Sequence, residues 1–513
     1  MSPRTASSVP TTLVQLDPGA AAPAYRQIAD SLREAIVSGR LAPGAPIPGT
    51  RLLATDLGVS RNTVNGALAQ LRAEGYVVAR PRAGTFVNGR LPDALLSVAA
   101  GPVPRVRRTD RTDRAGARPR AGQPRRSALS MALSALPLAA GRSLAQPARP
   151  FQTGVPALDE FPWALWARLV AQRTRRSGAA LSGYGSVLGY LPLREAIATH
   201  VSAARGARCV AEQVVVTSGA QQALDLVARV LVDPGDTVWM EDPGYSAARG
   251  VFVAAGARVV PVGLDAEGLR LPAPPGALPP RLIYVTPSRQ YPTGVTMSAA
   301  RRFELLRRAD AVGAWVVEDD YDSEFRYASR PLSCLQGLDE GGCVIYVGTF
   351  SKTLFPGLRL GYLIVPEDLV EAFGEARAVC DRQPPGIEQA ALADFLRLGH
   401  FARHVRRMRA LYEERRDALL EAAKRSLDER VTFGDTAAGM LAVAWLPAGI
   451  SDQEVWRRAL TAGVEAPPLS SYSIRRMDRG GLLLGYAGYP PEALRSAMLR
   501  LGEAIRASTP RRA

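Results

Sequence analysis

The sequence predicts a mixed α/β chain made of two folded units joined by a tether. Three observations lead there. Near the N-terminus, three helix-patterned segments are followed by two β-rich runs around a basic turn. Between residues 90 and 150 the chain turns rich in arginine, proline and glycine. From Phe151 onward, short apolar runs alternate with helical segments, the pattern of a mostly parallel sheet. A chain of 513 residues, 47% hydrophobic and 22% charged, is too long for one core, and its composition excludes collagen, low-complexity disorder and disulfide scaffolds. The expected units are 20–89, a linker at 90–150, and 151–510.

In the front unit, Ile28, Leu32 and Ile36 recur at helical spacing and Gly39 closes the helix. A second helix runs from Arg51 to Leu57 and stops at Gly58. Ser60 stands as N-cap of a third, in which Val64, Leu68 and Leu71 form one apolar face. Two helices joined by the turn LGVS make a helix-turn-helix, whose second helix enters the major groove of DNA N-terminus first. The segment YVVARPRAGTFV then reads as a hairpin wing with Arg80 and Arg82 at its tip. Gly66 inside the third helix costs roughly 1 kcal/mol relative to Ala.

The charge agrees with that reading. Of the net +16, residues 1–90 supply +5 and residues 91–150 supply +8. The stretch 105–127 holds nine arginines and almost nothing apolar, so it is expected to be a flexible tether that adds salt-sensitive phosphate affinity. Cys209, Cys334, Cys343 and Cys380 lack CxxC spacing, and His400 and His404 lack an HExxH context, so neither a metal site nor a disulfide framework is expected. The two histidines read as helix-surface residues. Neither an apolar leader nor a run of about 20 apolar residues is present, which predicts a cytoplasmic chain with no membrane span.

In the large unit the candidate strands are Val214–Thr217, Thr237–Glu241, Leu282–Thr286, Trp315–Glu318, Val344–Gly348 and Gly361–Val365. Open α/β sheets bind ligands beyond the carboxyl ends of their strands. Five groups collect there: Gly219-Ala220-Gln221 opening a helix, Tyr245 in EDPGY, the loop TPSRQYPTG, Asp319-Asp320-Tyr321, and Thr349, Ser351, Lys352 and Arg359 in GTFSKTLFPGLR. Each alone has an ordinary explanation as a cap, a tight turn or a solvated charge. Together they match the needs of pyridoxal 5′-phosphate: a lysine amine, a carboxylate for the ring nitrogen, a flat partner for the ring, and amides, hydroxyls and an arginine for the phosphate. Only two lysines stand among the 64 basic residues, and Lys424 has no partners for chemistry around it.

The segments SGRLAPGAPIP, LGVSRNTV and AEGYVVARPRAGTFV resemble the winged-helix domain of GntR-type regulators. The five groups in order resemble class I (fold type I) aminotransferases. The whole is similar to the MocR-type regulators, the group that includes the GabR and PdxR types. That resemblance implies DNA contacts from Arg51, Arg61, Asn62, Thr63, Arg82 and Gly84. It implies a Schiff base between the cofactor and Lys352, with Asp319 on the pyridine nitrogen and Tyr321 on the phenolic oxygen. Tyr245 would stack on the ring, and Gly219, Ala220, Gln221, Thr349, Ser351 and Arg359 would hold the phosphate. Asp320 stays open as the alternative to Asp319. A homodimer and a promoter partner follow from the same resemblance.

Two departures stand out. Tyr291 occupies the place of the asparagine that many aminotransferases put against the phenolic oxygen, leaving Gln290 or Tyr291 to substitute. Leu483 falls where the substrate-carboxylate arginine is usual, with Arg475, Arg476 and Arg479 nearby but out of register. The expected function is therefore a cofactor-dependent regulator of vitamin B6 or amino-acid metabolism genes, with weak or no transaminase activity. The alternatives are a working aminotransferase that carries a DNA-binding domain, and a degenerate fold that senses another molecule.

Overall fold

A computed structural model describes residues 14, 16–17, 19–20, 22–80, 83–89, 127–136, 148–271, 278–327 and 333–509. The chain divides into two compact units, Met1–Gln123 and Pro124–Ala513.

In the first unit, α1 (Ala24–Val37), α2 (Thr50–Asp56) and α3 (Arg61–Ala73) pack around Ile28, Leu32, Val64, Leu68 and Leu71. The Ser60 hydroxyl accepts from the amide of Thr63 at 3.1 Å and so caps α3. The wing is a three-stranded sheet. Strand β1 (Pro46–Ile47) pairs with β3 (Gly84–Val87), and β3 pairs with β2 (Val77–Arg80), all antiparallel. The first of these strands was not legible, because two residues beside prolines carry no period. Arg82 lies outside the described residues.

Most of the expected linker, including its arginine-rich stretch, also lies outside them. One part differs from a uniformly flexible tether: Ser127 caps a short helix α4 (Ala128–Ala135).

The second unit continues with α5 (Trp163–Leu181), α6 (Leu191–Arg205), β4 (Val214–Thr217), α7 (Ala220–Leu231), β5 (Thr237–Asp242), α8 (Ser246–Ala254), β6 (Arg258–Asp265), β7 (Gly268–Leu269) and β8 (Leu282–Val285). There follow α9 (Ala299–Val312), β9 (Trp315–Asp320), α10 (Leu335–Leu338), β10 (Val344–Thr349) and β11 (Gly361–Ile364). Their sheet has the order β4-β11-β10-β9-β8-β5-β6-β7. Neighbours from β10 to β6 are parallel, while β11 runs antiparallel to both β10 and β4. Fully buried valines, leucines and isoleucines fill these strands, because helices cover both faces. The C-terminal part comprises α11 (Val370–Cys380), α12 (Gly386–Arg397), α13 (His400–Ser426), β12 (Thr432–Phe433), β13 (Leu441–Trp445), α14 (Asp452–Thr461), β14 (Gly481–Gly485) and α15 (Pro491–Ser508). Its small antiparallel sheet, β12-β13-β14, packs with α13, α14 and α15.

His404 departs from its expected place on a helix surface. It is buried on α13, its Nε2 lies 3.1 Å from the Thr353 carbonyl, and burial pushes it down to about 4. Among the described residues no helix is long and apolar enough to cross a membrane.

The α3 cap gives a direct test. Ser60→Ala leaves the α3 amides without their side-chain acceptor, which costs about 1 kcal/mol and lowers the front unit's calorimetric transition by about 5 °C. An unchanged transition would mean that water replaces the cap.

Candidate functional site

The carboxyl ends of β4, β5, β8, β9 and β10 surround a cavity of about 240 Å³. Lys352, Asp319, Tyr321, Tyr245, Ala220, Gln221, Thr349, Ser351 and Arg359 all line it. Gly219 stands just outside, as the N-cap of α7. Its φ of +96° is one that side chains avoid, and a Cβ there would press the Arg359 guanidinium at 3.3 Å. Nothing from a side chain caps α7, so its first amides, at the positive end of the helix dipole, remain available to an anion. Arg359 is anchored beside them by donating from Nη2 to the Ser218 carbonyl at 2.9 Å.

Strand alternation separates the two candidate aspartates. Asp319 lines the cavity and accepts from the Tyr284 hydroxyl at 2.7 Å. Asp320 faces the other side of the sheet. There it pairs with Arg205 at 2.8 Å and accepts from Ser323 at 2.8 Å and Tyr346 at 2.6 Å. All its neighbours serve the core.

Lys352 is half-buried, and its Nζ donates to the Gly154 carbonyl at 3.1 Å. Burial pushes the amine down. Asp322 and then Asp319 pull it back up, and Arg359 opposes them. Gly154 holds φ at +75°, and a Cβ there would sit 2.7 Å from Nζ and push the amine aside. Burial raises three carboxyl groups around the cavity: Asp319 to about 6, Asp322 to about 7 and Glu241 to about 7.

Tyrosines form one wall. Tyr291 meets Tyr245, Tyr321 and Tyr472 edge-to-face, each with ring centroids at 5.6 Å. Of the two residues left to replace the usual asparagine, Tyr291 lines the cavity. Gln290 is spent on its loop: it donates to the Pro243 carbonyl at 2.9 Å and accepts from Thr293. Leu483 is buried in an apolar cluster with Leu441, Val443 and Leu469. Arg479 donates to the Leu446 carbonyl at 2.6 Å and lies over Trp445, while Arg475 and Arg476 are exposed. Sequence reasoning did not single out Thr153, Gly154, Tyr284, Thr286, Asp322, Met440 or Leu441 for the cavity. Asp322 had a signal, being in the same acidic run as Asp319, whereas Gly154 and Met440 arrive only through tertiary structure.

In the first unit, Arg61 and Asn62 are exposed on the opening turn of α3, Arg51 is exposed on α2, and Gly84 is exposed on the wing at φ +107°. Thr63 is half-buried, with its hydroxyl 2.8 Å from that of Ser60.

Comparison with known proteins gives two family matches. Residues 153–501 match aminotransferase class I and II, and residues 24–87 match the bacterial regulatory proteins of the gntR family. The probable rhizopine catabolism regulatory protein MocR of Rhizobium meliloti is 40% identical over 96% of this chain and 96% of its own length. The HTH-type pyridoxine biosynthesis transcriptional regulator PdxR of Corynebacterium glutamicum is 30% identical over 93% of this chain and 95% of its own. Among solved structures, the α-aminoadipate aminotransferase LysN of Thermus thermophilus, complexed with N-(5′-phosphopyridoxyl)-L-leucine, is 32% identical. Its TM-score is 0.65 over 70% of this chain and 92% of that one.

Two outcomes test this geometry. Asp320→Ala strands the buried Arg205 charge and costs about 3–5 kcal/mol in chemical denaturation, whereas Asp319→Asn, which leaves no cation unpaired, costs far less. Equal losses would contradict the assignment of faces. The second concerns pH. A carboxyl group raised on folding adds stability that is complete below its unfolded pKa, near 4, and is lost as pH rises through the folded value, here about 7 for Asp322. The stability gap between the cofactor-free parent and Asp322→Asn therefore widens in the parent's favour from pH 8 to pH 5. A gap that narrows would contradict the buried setting of Asp322.

Proposed function

We propose that this chain, which belongs to the MocR-type regulators, a gntR-family winged helix fused to an aminotransferase class I and II domain, controls transcription by reading the occupancy of the cavity around Lys352. The observation that carries the reading is the meeting of a half-buried lysine, a buried carboxylate and an uncapped helix end at one cavity.

That donor set fits pyridoxal phosphate. Bound there, the cofactor supplies an aldehyde for an amine and a ring that draws electrons from whatever the amine carries. Every other role falls to the chain. Lys352 presents its amine, and burial favours the neutral, nucleophilic form. Asp319 would hold the ring nitrogen as an acceptor whose charge is offset by no bonded cation among the described residues. Tyr321 and Tyr245 line the same cavity, where Tyr321 would donate to the phenolic oxygen and Tyr245 would stack on the ring. The amides of Gly219, Ala220 and Gln221, the hydroxyls of Thr349 and Ser351, and the Arg359 guanidinium hold the phosphate.

DNA is held, in this reading, by Arg51, Arg61, Asn62 and Thr63, with Arg82 and Gly84 of the wing. Exposed arginine and asparagine on the first turn of α3 suit base edges and phosphates alike. Lys352 touches Gly154, only a few residues past the linker, and α4 of the linker lies against α8, whose N-cap is Tyr245. Occupancy thus has two short routes into the tether, each of which must favour one linker state over the other to regulate. The acting species is a homodimer. Its target genes serve vitamin B6 or amino-acid metabolism, and the relatives' own printed roles span rhizopine catabolism and pyridoxine biosynthesis. Transaminase turnover is weak or absent, because Leu483 offers nothing to a carboxylate.

The purified chain mixed with pyridoxal phosphate is expected to show a visible absorbance band that borohydride reduction removes and that Lys352→Ala lacks. An identical band in Lys352→Ala would overturn the cofactor reading. Deleting residues 1–89 is expected to abolish a promoter shift, and a shift that survives would overturn the DNA reading.

A further inference from the structure

The charges lining the cavity balance. Two of its lining residues are cations, Lys352 and Arg359, and two are carboxylates, Asp319 and Asp322. On the reading above, on which this inference rests, Lys352, Arg359 and Asp319 serve the cofactor. Asp322 faces the cavity with no cofactor role, paired at long range with the buried Arg289. It is 2% exposed, and its Oδ2 takes no hydrogen bond among the described residues. Its ion-pair partner, Arg289, offers Nε at 3.8 Å, too far for a hydrogen bond, while its Nη2 donates to the Leu441 carbonyl at 2.8 Å and the Asp435 carbonyl at 3.3 Å.

The wall that would meet a carboxylate is apolar. Leu441 and Met440 line the cavity, and Leu441 packs with Leu483 in the cluster that also seats Tyr291 and Tyr472. Arg479, Arg475 and Arg476 all point their charge elsewhere or into solvent. A carboxylate brought here would lose its hydration and gain no guanidinium, and it would sit near the field of Asp322. An ammonium or hydroxyl group would instead gain an acceptor that is already desolvated.

We propose that the effector is an amine without a carboxylate group, received by Asp322 through a hydroxyl or a second ammonium group. The electrostatics lean the same way, since Asp322 is the carboxylate that most favours the charged form of Lys352. Any cation placed beside it is favoured in the same sense.

The test uses matched pairs that differ only by the carboxylate: putrescine against ornithine, and ethanolamine against serine. Each is titrated by calorimetry into the full-length chain mixed with pyridoxal phosphate. The amines are expected to bind at least roughly tenfold more tightly than their parent amino acids, and Asp322→Asn is expected to remove roughly that factor. Leu483→Arg, which supplies the missing guanidinium, is expected to favour the amino acids. Amino acids that bind the parent chain as well as the amines do would overturn the proposal, and so would an Asp322→Asn variant that keeps the full preference. The parent comparison stands even if a variant fails to fold. The absorbance band before titration reports on the cofactor reading separately: without it that reading fails, whereas a band with no amine preference removes this inference alone.

Discussion

A half-buried lysine amine at the mouth of the strands is the constraint around which the cavity is arranged. Lys352 bears the cost of burial and is drawn back toward its charged form by Asp322 and Asp319. Each partner arrives from the end of a neighbouring element: Asp319 from the last turn of β9, Lys352 from just beyond β10, and Arg359 ahead of β11. The parallel register of β8, β9 and β10 brings these ends to one level. If the register slipped by one residue, Asp319 would face the Arg205 side and Asp320 the cavity. The buried Arg205–Asp320 pair on the opposite face therefore helps fix which carboxylate reaches the lysine.

The same lysine ties the site to the tether. Its donor hydrogen bond ends on Gly154, and the adjoining Phe151 bridges to Gly485 at the end of β14. The chain leaving the linker is thus stitched between the small sheet and the cavity. Whatever engages the amine alters a contact made by the first residues of the unit. That is a local event at the start of the large unit.

Six strands of the main sheet were legible because full burial wrote them as uninterrupted apolar runs, and β9 needed only two more residues than expected, whereas β6, half-buried along most of its length, and the small sheet β12-β13-β14 were not singled out. The front unit was legible through Ser60, the apolar face of α3 and the wing. The choice between Asp319 and Asp320 was not, since spacing alone allows either, and only alternation in β9 decides. Asp322 went unread because its neighbours already explained the acidic run. His404 was misread for a related reason: a helix face looks the same whether it meets water or, as here, Phe161 and the Thr353 carbonyl. Gly154 and Leu441 lie far in sequence from Lys352, and only the closed fold brings them beside it.

The central claim is that one amine links the cavity to DNA. The most direct measurement is operator affinity of the full-length chain with and without pyridoxal phosphate, for the parent and for Lys352→Ala. The cofactor is expected to change the parent's affinity and to leave that of Lys352→Ala unmoved. A parent whose affinity is the same in both conditions, or a variant that responds as the parent does, would contradict it.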